Sequence, residues 1–164
     1  MAKGKSKRKT DGSMSPRIVN RRARHDYHIE DTLEAGLKLL GSEVKSIRNG
    51  RVQLSEGFVL IDVKTQKMTL HNVDIALYPQ AGPLQHEPRR TRTLLAHKRE
   101  IAKWTGAASD KGTTIVPLAM YFVRGKAKVE IGLARGKKSH DKRQDLKKRE
   151  AERAIRRGMT RKVL

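Results

Sequence analysis

A chain of 164 residues has room for one domain with a single hydrophobic core and extensions, and is short for two full domains. Its 38 Lys and Arg against 17 Asp and Glu give a formal charge of +21, far beyond what solubility needs, and point to a polyanionic partner, nucleic acid first. With no cysteine and no long apolar run, a disulfide framework, thiolate metal sites and a membrane span are excluded, and the reading is a soluble, intracellular protein without a membrane partner.

Composition divides the chain in three. Residues 1–17 are rich in Lys, Gly and Ser and almost free of apolar side chains, so they read as a flexible basic arm. Residues 18–134 hold nearly all the Val, Ile, Leu, Phe, Tyr and Trp and form the domain; residues 135–164 are a basic tail. From Tyr27 the odd positions Tyr27, Ile29, Leu33, Ala35, Leu37 and Leu39 are apolar and the even ones mostly polar, the period of a strand. Asp31 interrupts that face and Gly36 suggests a bulge or bend, so a strongly bent strand and a hairpin both fit. "GSEVKSIRNG" is a short amphipathic helix with Ser42 as N-cap, Val44 and Ile47 turned inward and Gly50 as its stop. Lys45 and Arg48 then stand together on its exposed side, where like charges repel unless an anion joins them.

Phe58 to Val63 and Met68 to Val73 form a hairpin around a polar turn at Lys64 to Lys67. "TLLAHKREIAKWTG" reads as a second helix that buries Leu94 and Ile101 with help from Leu95 or Trp104 and ends at Gly106. "TTIVPLAMYFV" and "KAKVEIGLA" flank Arg124 and Gly125 as a second hairpin with one wet, charged face. Five or six short strands with an inserted helix and no βαβ alternation predict a mainly β fold, an OB-like small barrel with flanking short helices.

No catalytic constellation emerges. His25, His28, His71, His86, His97 and His140 lack a metal-ligand spacing, and "HDYH" on a strand puts His25 and His28 on opposite faces. No phosphate loop or nucleophile motif is present, so neither an enzyme nor a cofactor is expected. The acids of "IEDTLEAG" read as charge partners for nearby cations, and Trp104 and Tyr27 as core. In the tail, Ser139 or Asp141 as N-cap, with Gln144 beyond, and pairs such as Asp145 with Arg149 permit a helix. Leu146, Ala151, Ala154 and Ile155 are too sparse to pin it to a barrel, so it reads as a solvated extension that becomes helical along a phosphate-lined channel.

The motifs "EAGLKLLGSEVKSIR", "HEPRRTRTLLAHKREI" and "KVEIGLARGKKSHDKR", in that order, resemble the small protein B (SmpB) family, the transfer-messenger RNA (tmRNA)-binding proteins of bacterial trans-translation. The resemblance runs from Asn20 to Arg149. It implies an OB-like barrel that binds the transfer-RNA-like domain of tmRNA and delivers alanyl-tmRNA to stalled ribosomes in the bacterial cytoplasm. It also implies indirect partners, elongation factor Tu and alanyl-tRNA synthetase, and a monomeric protein. Carried over, the tmRNA-binding residues are Glu34, Lys45, Arg48, Leu95, His97 and Lys98. The ribosome-binding tail residues are Lys137, Lys138, His140, Asp141, Lys142 and Arg143, with the tail disordered in solution and helical in the empty messenger channel near the decoding centre. His140 would stack on a base, the Lys and Arg bind phosphates and Asp141 cap the helix. Thr93 and Ala96 depart from the family's usual "RTRKLLL". Without the resemblance, the composition reads as a basic OB-type structural protein on ribosomal RNA.

Overall fold

Nine strands carry the fold in the computed structural model, which describes residues 15–161. They are β1 (Ile18–Val19), β2 (Tyr27–Leu37), β3 (Val52–Gln53), β4 (Phe58–Asp62), β5 (Lys67–His71), β6 (Asp74–Ile75), β7 (Arg92–Leu95), β8 (Thr113–Val123) and β9 (Lys126–Gly136). Four α-helices lie between or after them: α1 (Arg21–Asp26), α2 (Gly41–Arg48), α3 (Lys98–Ala108) and α4 (Ser139–Arg161). The expected arm lies outside the described residues up to position 14.

Antiparallel pairing runs β8, β4, β5, β7, β2, β9 and back to β8, so six strands close a ring; β1 adds to β8, and β3 with β6 form a separate pair. This is the small β-barrel with short flanking helices that the patterning predicts. Its interior is filled by Ile47, Met68, Leu70, Ile75, Met120, Val129 and Ile131, all fully buried, and by Trp104 from α3. Burial of each such side chain contributes roughly 1.5–3 kcal/mol. Two of the three 11-residue strands, β8 and β9, pair from Thr113↔Arg135 to Val123↔Lys126. Their turn places Arg124 and Gly125 at φ 49° and 75°, the left-handed pair that suits strand twist. By contrast, β4 meets β8 at a single register pair, Val59↔Ile115.

The alternation from Tyr27 is borne out: odd positions of β2 are the more buried and even positions exposed. β2 is one continuous strand, and its irregularity against β9 falls between Ile29 and Asp31. Gly36 therefore marks no bulge. It pairs with both Lys128 of β9 and Leu95 of β7, and a Cβ there would touch the Leu95 Cβ at 3.4 Å. The acids of this strand are ion-paired as read: Glu30 with Arg135 at 3.5 Å and Asp31 with Lys103 at 2.8 Å. That Lys103 hydrogen bond, with the Thr32 N–H, holds the Asp31 carboxyl below its ordinary value.

Three local readings need correction. The sequence reading has no helix at 21–26, yet Asn20 caps α1 by accepting the Ala23 N–H at 3.0 Å, while its amide donates to the carbonyls of Leu54 and Pro117. His25 thus sits on a helix and only His28 on the strand. In α2 the N-cap position is Leu40, whose N–H is taken by Glu43 Oε2 at 2.7 Å; Ser42 lies in the first turn and its hydroxyl meets His86 Nδ1 at 2.9 Å. The segment read as the start of the second helix is β7, because Arg92 and Leu94 point inward, Thr93 and Leu95 outward, and both flanks pair with strands. The helix begins only after His97, whose N–H Glu100 Oε2 accepts at 2.9 Å, and continues past Gly106 to Ala108. Trp104, not Leu95, completes its buried face.

An ion cluster locks α2 to β7. Glu43 and Arg92 both have fully buried side chains and meet at 2.8 Å. Arg90 forks onto the same carboxylate, and Arg92 donates to the carbonyls of Val73 and Pro88, each at 2.7 Å. Burial alone would raise the Glu43 pKa, but Arg90, the Leu40 N–H and Arg92 outweigh it and hold the carboxyl below its ordinary value. A Cβ on Gly57 would fall 2.5 Å from Val73 Cγ2 and 2.9 Å from Pro117 Cγ. Gly57→Ala is therefore expected to lose about 1–3 kcal/mol in a urea titration, because both neighbours are stiff.

Candidate nucleic-acid interface

Where β7 hands over to α3, the chain turns Leu95, His97 and Lys98 onto the rim of one open cleft of about 620 Å³. Glu34, from an outward position of β2 two residues before the Gly36↔Leu95 pair, closes its other side with Lys128 of β9. Four residues carried over by resemblance are thus brought together. Leu95 is 57% exposed, an apolar surface inside a ring of charge, while His97 and Lys98 are both exposed. An exposed leucine beside cations suits a ligand with both phosphates and flat base or sugar surfaces.

Glu34 is held from two sides. It accepts the hydroxyl of Tyr121, and Lys128 Nζ lies 3.6 Å from its other oxygen. Register places Glu34 directly opposite Glu130, an arrangement of like charges that costs stability unless cations intervene. Lys128 serves Glu34, and Arg17 serves Glu130 while covering the Tyr121 ring at 4.5 Å. Burial, the Glu34 acceptor and its charge push the Tyr121 phenol up to about 12, so it remains a donor at neutral pH.

Lys45 and Arg48 are exposed on α2 one turn apart, as read. Arg48 reaches over the Phe122 ring at 5.4 Å. Phe122 and Tyr121 are successive residues of β8 and point to opposite faces, so the α2 cations form a second patch outside the Glu34 cleft. The cleft also holds Thr93, Lys67 and Lys128, which the residue-level reading does not single out as site residues. Lys128 is visible as an outward lysine of an alternating strand, but only the β2 to β9 register brings it to Glu34.

The tail leaves from the other end of β9. Lys137 donates its N–H to the Asp26 carbonyl at 2.9 Å and its ammonium to the Arg24 carbonyl at 3.2 Å, tying the root of the tail to α1. α4 begins at Ser139, so Asp141 lies in the first turn and caps it by accepting the Lys138 N–H at 3.2 Å. Lys138 and Arg143 are exposed; the side chains of His140 and Lys142 lie outside the described residues. Leu146, Ile155 and Met159 are 45–67% exposed, so these apolar groups of α4 remain largely uncovered. Among the described residues no group of three or more His, Asp or Glu is placed to hold a metal ion, and no helix is long and apolar enough to cross a membrane.

Comparison with known proteins places this geometry. Residues 17–161 match the family model described as SmpB protein. The chain is 51% identical over 158 residues to the SsrA-binding protein of Thermobifida fusca, covering 95% of this chain and 98% of that one. It is 54% identical over 144 residues to the SsrA-binding protein of Acidothermus cellulolyticus, covering 88% and 89% of the two chains. A solved structure described as "tmRNA-SmpB: a journey to the center of the bacterial ribosome" superposes with a TM-score of 0.65 at 47% identity, over 76% of this chain and 87% of that one. By its matched length, these identities and the shared barrel, the chain belongs to the SmpB protein family.

Proposed function

We propose that this protein binds the transfer-RNA-like domain of tmRNA and delivers alanyl-tmRNA to ribosomes stalled without a stop codon. The observation that carries the reading is the cleft that gathers Glu34, Leu95, His97 and Lys98 from distant parts of the chain, with Lys45 and Arg48 exposed together on α2. Relatives above 50% identity are SsrA-binding proteins, and the solved neighbour comes from a tmRNA–SmpB ribosome assembly, which supports both partners. The protein acts as a bacterial, cytoplasmic monomer by binding alone. Elongation factor Tu and alanyl-tRNA synthetase meet it only through the RNA. The barrel, whose last strand runs on to Gly136, holds the RNA; the tail beyond it enters the empty messenger channel, disordered before and helical after entry. There Lys137, Lys138, Lys142 and Arg143 neutralise phosphates, His140 stacks on a base and Asp141 caps the helix.

The direct test is to purify the protein from its host at low salt and sequence the RNA that accompanies it. A single dominant RNA with a transfer-RNA-like end and an internal reading frame is expected. One ribosomal RNA site at constant stoichiometry would instead establish a resident ribosomal protein.

Thr93 gives a finer test. It is half-buried beside the cleft, opposite Thr69 on β5. Thr93→Lys should restore the cation usual in the family, steepen the dependence of log K on log salt by about one unit and tighten binding several-fold at low salt. Titration of a tmRNA fragment at two salt concentrations reads both quantities.

A further inference from the structure

Two stretches of chain run between the Glu34 cleft and α2, and exposed cations stand on both. In the first, β2 ends at Leu37 and α2 begins at Gly41; between them Lys38 is exposed, its N–H bonded at 3.0 Å to the carbonyl of Thr93, a residue of the cleft. The second is the β8–β9 hairpin, with Arg124 and Lys126 exposed at its tip. Lys126 precedes Lys128 by two residues on β9 and so shares its outward face, roughly 7 Å nearer the tip. Phe122, two residues before Arg124, lies under the Arg48 guanidinium at 5.4 Å. One face of the hairpin therefore belongs to the cleft, the other meets α2, and the tip stands between them. Among the described residues no carboxylate pairs with Lys38, Arg124 or Lys126. Arg124 also holds φ at 49°, a left-handed conformation that hairpin turns usually give to Gly, Asn or Asp. The fold gains nothing from an arginine there, since the ladder closes at Val123↔Lys126 and the side chain is exposed.

We propose that Lys38, Arg124 and Lys126 form a phosphate-binding ridge over the hairpin tip, along which the backbone of one RNA strand passes from the Glu34 cleft to Lys45 and Arg48. This rests on the tmRNA reading and joins its two patches into one track. Two isolated patches would take RNA independently, whereas a row of unpaired cations between them fixes the path and releases further counterions. Contacts of this kind position the backbone and read no base, so the ridge sets where the RNA lies and not which sequence is chosen.

The test uses the full-length protein and a transcript of the transfer-RNA-like domain. Changing Lys38 and Lys126 to Gln and Arg124 to Asn together should flatten the dependence of log K on log salt by about 2 units. In a hydroxyl-radical footprint, the triple variant should lose protection over one stretch of the RNA lying between the stretch exposed by Lys98→Gln at the cleft and that exposed by Arg48→Gln on α2. Arg124→Asn alone should weaken binding while the urea midpoint holds or rises, because asparagine tolerates the left-handed turn better than arginine. An unchanged slope in the triple variant, or lost protection outside that interval, would overturn the proposal. So would binding that weakens only in step with a falling urea midpoint, which marks a structural role. A wild-type protein that holds the transcript no tighter than a ribosomal RNA fragment overturns the tmRNA reading beneath it; selective binding with an unchanged slope overturns the ridge alone.

Discussion

Arg92→Met is expected to destabilise the protein by about 3–5 kcal/mol, because it strands the Glu43 carboxylate in the interior, where an unpaired charge is costly. Both side chains are fully buried, and Arg92 also satisfies the Val73 and Pro88 carbonyls. Glu43→Gln should cost less, since an amide still accepts one hydrogen bond and Arg90 is exposed enough to turn to water. The double variant Glu43→Leu with Arg92→Met should recover much of the loss, which marks the cost as that of a broken pair and not of lost packing volume. Urea unfolding followed by fluorescence of Trp104, the only tryptophan and 3% exposed, measures all three. The pH dependence has a definite sign. Glu43 is held below its ordinary 4.5, so its contribution is complete above that pH and is lost as the pH falls through the lower folded value. Wild type should therefore lose stability more steeply below pH 4.5 than Glu43→Gln does.

Charge reversal of Lys137, Lys138, Lys142 and Arg143 to Glu is expected to abolish peptide tagging on stalled ribosomes while leaving affinity for a tmRNA fragment within a few-fold of wild type. Replacing four phosphate contacts by four repulsions lowers affinity for an RNA-lined channel on the order of 100-fold or more at moderate salt. Barrel stability should change little, because Lys138 and Arg143 are exposed and Lys137 lies at the root of the tail, where its ammonium meets the Arg24 carbonyl at 3.2 Å. A tagging assay on a messenger without a stop codon, run beside a tmRNA titration, separates the two steps. Tagging at wild-type rates would remove the tail from the mechanism.

Long strands were the easiest part to read. β2 and the first half of β9 each have one wet face, so period-two alternation survives in the sequence, whereas β8, buried on both faces from Ile115 to Met120, reads as a continuous apolar run; the turn at Arg124–Gly125 is marked by its glycine. β7 was not legible, because four residues cannot distinguish a strand from the first turn of a helix when Leu94 and Ile101 also fit a helical face. α1 is announced only by Asn20, a cap whose partner Ala23 lies within a run of arginines. The ion cluster was hidden for another reason: Glu43 and Arg92 are 49 positions apart, and in sequence "RRTR" reads as surface charge. Composition could name a polyanion as partner, but Glu34, Leu95, His97 and Lys98 came from family motifs, since pairing of β2 with β7 and β9 alone makes them neighbours.

The single Val59↔Ile115 pair between β4 and β8 gives the barrel a preferred place to open. Every other junction of the ring is held by at least two register pairs, so local unfolding should begin by lifting the β4–β5 hairpin away from β8 while β2, β8 and β9 stay joined. The cleft proposed to hold RNA sits at the far side of that hairpin, where β5 meets β7. A ligand that braces Lys67 and Thr93 would then slow hydrogen exchange at Leu60 and Ile61, residues it never touches.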